Sequence, residues 1–137
     1  MNMAKLYINP PTLFNSKQYG FSHIVVSPSA GRTFYTSGQV AVNKDQELIG
    51  HNLSEQTRQV IINLTLALES VGAALSDIMS LRIYFVDAAS CDISTIGNVL
   101  TEFFGTETPP AATWIGVTTL ARKEFLVEIE AMGMIDA

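Results

Sequence analysis

Glu128 and Glu130 stand two residues apart in Phe125-Leu126-Val127-Glu128-Ile129-Glu130-Ala131-Met132. Side chains alternate along an extended chain, so both carboxylates share one face. An ionised carboxylate can accept a proton or aim a water molecule, which makes this pair the first candidates for chemistry. The same spacing also suits acids that close a subunit seam, capped by backbone N–H groups or a cation. Ser37 precedes Gly38 in Thr33-Phe34-Tyr35-Thr36-Ser37-Gly38-Gln39-Val40. Its hydroxyl can place a ligand or bond a neighbouring strand. Trp114, within Pro109-Pro110-Ala111-Ala112-Thr113-Trp114-Ile115-Gly116-Val117, offers a flat apolar surface to a ligand or to a core.

Other reactive types fit fewer reactions. Arg32 and Arg122 lie near turn residues and read as solvated, whereas Arg82, mid-strand, reads as the partner of an acid at an interface. His23 and His51 are too far apart for a local metal motif and no third ligand is suggested, so no metal site is expected. Cys91 is the single cysteine, has no histidine close in sequence, and reads as a small residue near a helix start. No phosphate-cradling glycine loop, Gly-x-Ser-x-Gly elbow or Cys-x-x-Cys pair is present, and no cofactor is implied.

These residues need elements to position them. Val60, Ile61, Leu64, Ala67, Leu68 and Val71 form an apolar stripe at helical spacing. Asn52 or Ser54 can cap its start and Gly72 its end. A second helix is expected over Asp92 to Phe104, with Asp92 at the positive N-terminal end and Gly105 and Pro109-Pro110 as stops. Strands are expected over Phe21–Val26, Thr33–Val42, Ile78–Val86, Thr113–Val117 and Phe125–Met132, with a turn at Ser29 to Arg32 in which Gly31 takes positive φ. Met1 to Ser16 reads as a short strand plus an irregular arm. The order β-β-α-β-α-β-β gives an α+β fold in which both helices pack on one face of a mixed sheet. Val25, Tyr35, Ile83, Phe85, Ile115 and Val127 cannot all face water or the helices, so association with further subunits is the expected cover for the other face.

The chain has 137 residues, enough for one domain spanning 1–137, and only 15% are charged against 47% apolar. Its formal charge of −5 lacks the basic footprint that phosphate neutralisation requires, so no nucleic-acid partner is expected. No basic region followed by an apolar run opens the chain, and no apolar run approaches the roughly 18 residues that a membrane span takes. A lone cysteine is compatible with a reducing cytoplasm.

Ser37-Gly38-Gln39, Gln56 with Asn63-Leu64, Gly72-Ala73 and Glu128-Ile129-Glu130-Ala131, in this order and spacing, resemble the RidA family, also called YjgF or L-PSP. The resemblance runs from Gln18 to Met134. It implies a chorismate-mutase-like α+β fold whose sheets close a homotrimeric barrel, with a small-molecule pocket at each subunit boundary. It also implies hydrolysis of reactive enamines and imines to carbonyl compounds and ammonia. The family's water-orienting glutamate falls on Glu128 and its pocket serine on Ser37, beside Gly38. Its pocket tyrosine falls on Phe21, its carboxylate-binding arginine on Ala112, its pocket cysteine on Trp114, and a helix asparagine on Gly97 next to Asn98. Losing a bidentate arginine removes about 2–5 kcal/mol of binding to a desolvated carboxylate, or roughly two to four decades of affinity. The substitutions therefore argue against the family's 2-aminoacrylate reaction and for a pocket of altered preference, as in branches that lack the arginine. Two functions remain compatible with these residues: an imine or enamine deaminase using Glu128, and a non-catalytic trimer holding a metabolite with Phe21, Ser37 and Trp114. An endoribonuclease or translation inhibitor, the third family role, is opposed by the acidic charge.

Overall fold

The structure is a computed structural model and describes residues 5–27, 31–86 and 91–136. Among them run β1 (Leu6–Ile8), β2 (Ile24–Val26), β3 (Gly31–Tyr35), α1 (Leu53–Glu69), β4 (Ile78–Val86), α2 (Ser94–Phe104), β5 (Ala111–Val117) and β6 (Val127–Asp136). Four strands form one sheet in the order β3-β6-β4-β5, and β1 pairs with β2 apart from it. Only β4 and β5 run parallel, a pairing that needs a crossover, which α2 supplies. The sheet is thus mixed, as expected.

Register decides which side chains meet the helices. Leu81 lies abreast of Ala112 and Ala131, Ile83 of Trp114 and Ile129, and Phe85 of Gly116 and Val127. These rows share one face, and their apolar members pack in one core with Val60, Ile61, Leu64 and Leu68 of α1 and Ile96 and Leu100 of α2. The opposite face carries Arg82 beside Glu130 and Tyr84 beside Glu128. Ile83, Phe85 and Val127 are therefore satisfied by the helices, while Ile115 and the 75% exposed Tyr35 lie on the other side. Val25 belongs to the separate two-stranded pair.

Several boundaries differ from expectation for local reasons. The strand from Thr33 stops at Tyr35, because Ala131 N donates to the Thr36 hydroxyl (2.9 Å) where a ladder carbonyl would otherwise accept. The edge rejoins β6 only at the Gln39–Ile129 bridge, leaving Ser37 and Gly38 in the irregular stretch between. The expected Phe21–Val26 strand shortens to Ile24–Val26, since Ser22 instead bridges Ala111 of β5. Gly31 opens β3 and is not a positive-φ turn residue; residues 28–30 of that turn lie outside the described residues. In α1 the cap is Asn52, whose Oδ1 accepts from Glu55 N at 2.9 Å, whereas Ser54 accepts from Arg58. The helix ends at Glu69, so Val71 falls beyond the stripe and is 49% exposed, and Gly72 turns the chain at φ +74°. Helix α2 starts at Ser94, two residues after Asp92.

Two polar residues on α1 hold irregular backbone against the core. Gln56, 1% exposed, accepts from Leu126 N at 2.9 Å and donates to Glu124 O at 3.0 Å. Asn63 donates to the carbonyls of Val40 and Val42, both at 2.9 Å. Gln56 thus fixes the entry to β6 and the approach to Glu128. Gln56→Leu strands the partly buried Leu126 N–H and Glu124 carbonyl, and should lower stability by about 1–3 kcal/mol in urea unfolding.

Candidate functional site

A cavity of about 490 Å³ opens on the helix side of the sheet, where the N-terminal arm crosses α2 and β5. The arm contributes Phe14, Gln18, Tyr19 and Phe21; the start of α2 contributes Ile93, Ser94, Gly97 and Asn98; β5 contributes Ala112 and Trp114. Among the described residues no charged side chain lines it.

The arm is irregular, yet side-chain bonds fix it. Asn9 Oδ1 accepts from Ser16 Oγ (3.1 Å) and His23 N (2.8 Å), while the His23 ring nitrogen Nε2 bonds the Phe14 carbonyl at 2.9 Å. Ser22, 1% exposed, donates through its amide to Pro110 O (2.9 Å) and through its hydroxyl to Pro109 O (2.5 Å). Phe21 is thereby held next to the start of β5. Phe14 meets Tyr19, Phe21 and His23 edge-on, with ring centroids 6.3, 6.0 and 4.9 Å apart. Edge-to-face pairs of this kind contribute about 0.5–1.5 kcal/mol each beyond their buried area.

Gly97 sets the depth of the chamber. A Cβ there would come within 3.4 Å of Trp114 Cη2 and 3.3 Å of the Tyr19 carbonyl, so even alanine requires its neighbours to give by a few tenths of an ångström. The glycine on α2 and the tryptophan on β5 therefore form a matched pair. The Trp114 Nε1–H is buried without an acceptor among the described residues. A buried unpaired donor costs about 1–3 kcal/mol.

At the α2 entrance, the Asp92 carboxylate accepts from Ser94 N (3.1 Å) and Ser94 Oγ (2.6 Å). These bonds, the hydroxyl's first, hold the Asp92 carboxyl below the usual aspartate range. A depressed folded value means that the contribution is present at neutral pH and is lost as pH falls through that value. The difference in Tm between wild type and Asp92→Ala should therefore shrink on acidification below the ordinary aspartate range.

The remaining candidates gather elsewhere. Gly38 lies against the Glu128 side chain so closely that a Cβ on residue 38 would sit 2.0 Å from Oε2, and Ser37 precedes it. Glu130, two residues on, accepts from the Tyr84 hydroxyl at 3.1 Å and pairs with Arg82 at 3.4 Å. The acid paired with Arg82 thus lies in the same chain. Phe21, Ala112 and Trp114 come together around the cavity, Gly38 lies against Glu128 with Ser37 next to it in the chain, and Glu128 faces the side of the sheet opposite Ala112 and Trp114. Sequence reasoning missed Phe14, Gln18, Tyr19, Ile93 and Ser94. The available signal was three aromatic rings within Phe14 to Phe21, a segment with no periodic core pattern that would claim them.

The fold and cavity can be set beside known proteins. The family model described as Endoribonuclease L-PSP matches residues 16–135. The chain belongs to the RidA/YjgF/L-PSP family. Among its RidA-type relatives, a RutC family protein of Pyrococcus horikoshii is 34% identical over 104 residues, covering 75% of this chain and 79% of that protein. The Escherichia coli protein named 2-iminobutanoate/2-iminopropanoate deaminase is 31% identical over 107 residues, covering 76% of this chain and 80% of its own. The crystal structure of YyfB from Yersinia pestis, a Rid protein of unknown function, superposes with a TM-score of 0.90 at 40% identity, over 97% of this chain and all (100%) of that one. No described helix is long and apolar enough to cross a membrane.

Proposed function

We propose that this RidA-type chain binds a small molecule in the cavity lined by Phe21, Ala112 and Trp114 and hydrolyses small imines or enamines to carbonyl compounds and ammonia. The observation that carries this reading is that residues separated by some 90 positions, and assigned to one pocket by the family pattern, line one cavity. In a homotrimer with a cleft at each boundary, Ser37, Gly38 and Glu128 of a second copy would complete that cavity. Glu128 would orient a water and take its proton. An enamine first tautomerises to its imine. The water oxygen bonds to the imine carbon while the proton taken by Glu128 is passed to the nitrogen. The resulting carbinolamine then loses its hydroxyl proton to the nitrogen through the same carboxylate, forming the carbonyl as the carbon–nitrogen bond breaks and ammonia leaves. No cofactor enters this scheme, and a cytoplasmic setting suits it.

The neutral lining makes 2-aminoacrylate a poor substrate, since Ala112 offers a methyl group where its carboxylate needs a cation. The reading is tested by coupling the protein to a flavin amine oxidase that releases the imine of benzaldehyde from benzylamine. Ammonia release above the spontaneous rate supports it, and an unchanged rate for this and for aliphatic imines refutes it.

A second reading, a non-catalytic metabolite-binding trimer, is favoured by the separation of Glu128 from the cavity within one chain. A ligand at 100 times its Kd should then add about 2.7 kcal/mol of stability with no turnover. RNA cleavage gains nothing from a chain of formal charge −5.

A further inference from the structure

The cavity differs in kind from a site built for an amino-acid-derived anion. Four aromatic rings, those of Phe14, Tyr19, Phe21 and Trp114, share its walls, and no charged side chain does among the described residues. A free carboxylate entering it would lose water and gain no cation, and that desolvation is among the most unfavourable transfers a ligand can undergo. A flat neutral ring or conjugated system loses little hydration and gains apolar contact area against these rings.

Shape points the same way. Gly97 lets the Trp114 indole approach α2 closely, where a Cβ would already crowd its Cη2 at 3.4 Å. The volume of about 490 Å³ accommodates a single-ring compound with a short substituent. Gln18, Ser94 and Asn98 add neutral hydrogen-bonding groups at the rim, and none of them distinguishes an anion as arginine would.

We infer that the cavity selects uncharged planar compounds, aromatic or conjugated carbonyls and imines, over their carboxylate counterparts. This rests on the cavity being the ligand site of the proposed function, though not on any turnover there.

Trp114 is the only tryptophan of the chain, so its emission reports on this cavity alone. Titration of the wild-type protein with benzamide and, separately, with benzoate at pH 7.5 gives two apparent Kd values from that emission. Benzamide should bind at least tenfold more tightly than benzoate. Ala112→Arg should narrow or reverse the preference while the protein retains its wild-type circular dichroism. Similar affinity for both probes in the wild type overturns the inference and leaves the cavity standing as a binding site. No emission change with either probe up to their solubility overturns both. Selective benzamide binding without ammonia release in the amine-oxidase assay upholds the inference and removes only the hydrolytic reading.

Discussion

Gly133→Ala should lower stability by about 3 kcal/mol or more, the largest loss expected from any single methyl group in this chain. Gly133 is buried in β6, paired with Phe34 of β3 on one side and Ile78 of β4 on the other. A Cβ there would lie 2.2 Å from the Asp77 carbonyl, 2.5 Å from Phe34 Cζ and 2.9 Å from Ile78 Cα. Two of these three atoms are backbone and cannot swing aside as a side-chain end can. Relief requires β4 to part from β6, and with it the row that carries Ile129, Ile83 and Trp114. Gly72→Ala is the matched control. It meets nothing within 4 Å, so it carries only the strain of φ +74°, about 1–2 kcal/mol. Thermal and urea unfolding of the two variants should separate clearly, and equal losses would show that crowding at β6 is relieved locally.

Glu128→Gln should reduce imine hydrolysis by roughly two to four orders of magnitude, the range general-base assistance supplies, while leaving Tm within about 1 °C. The amide keeps the side chain's length and its fit beside Gly38, so packing is preserved and only the proton-accepting charge is removed. The neighbouring acid is the internal comparison. Glu130 already pairs with Arg82 and the Tyr84 hydroxyl, so Glu130→Gln should affect turnover far less than Glu128→Gln. Equal effects of the two changes would assign both acids a role in holding the sheet face together and neither a role in chemistry.

Much of this architecture was legible because each signal is periodic. The α1 stripe and the alternation of β4 depend only on helical and extended geometry, so the helices and the central strands follow from the residues themselves. What could not be read was set by single side chains acting on backbone. The Thr36 hydroxyl ends β3 early, Ser22 diverts the chain from β2 to β5, and Asn9 with His23 shapes the arm. None of these leaves a periodic trace. The same holds for the site. Family spacing brought Phe21, Ala112 and Trp114 forward as neighbours, yet their assignment to the side of the sheet away from Glu128 comes from strand register. A one-residue slip in that register would have reversed it.

The separation of Glu128 from the cavity makes the shared site the central claim, and mixing two inactive variants tests it most directly. Glu128→Gln keeps an intact cavity, and Asn98→Trp, at an exposed position on the cavity rim, obstructs the cavity but keeps the acid. Each should hydrolyse imine poorly alone. After the two are unfolded together and refolded as a mixture, random assembly in a closed ring should restore about a quarter of wild-type turnover, because some boundaries then join one good cavity to one good Glu128. Turnover of the mixture no greater than that of the separate variants would contradict a site completed between copies.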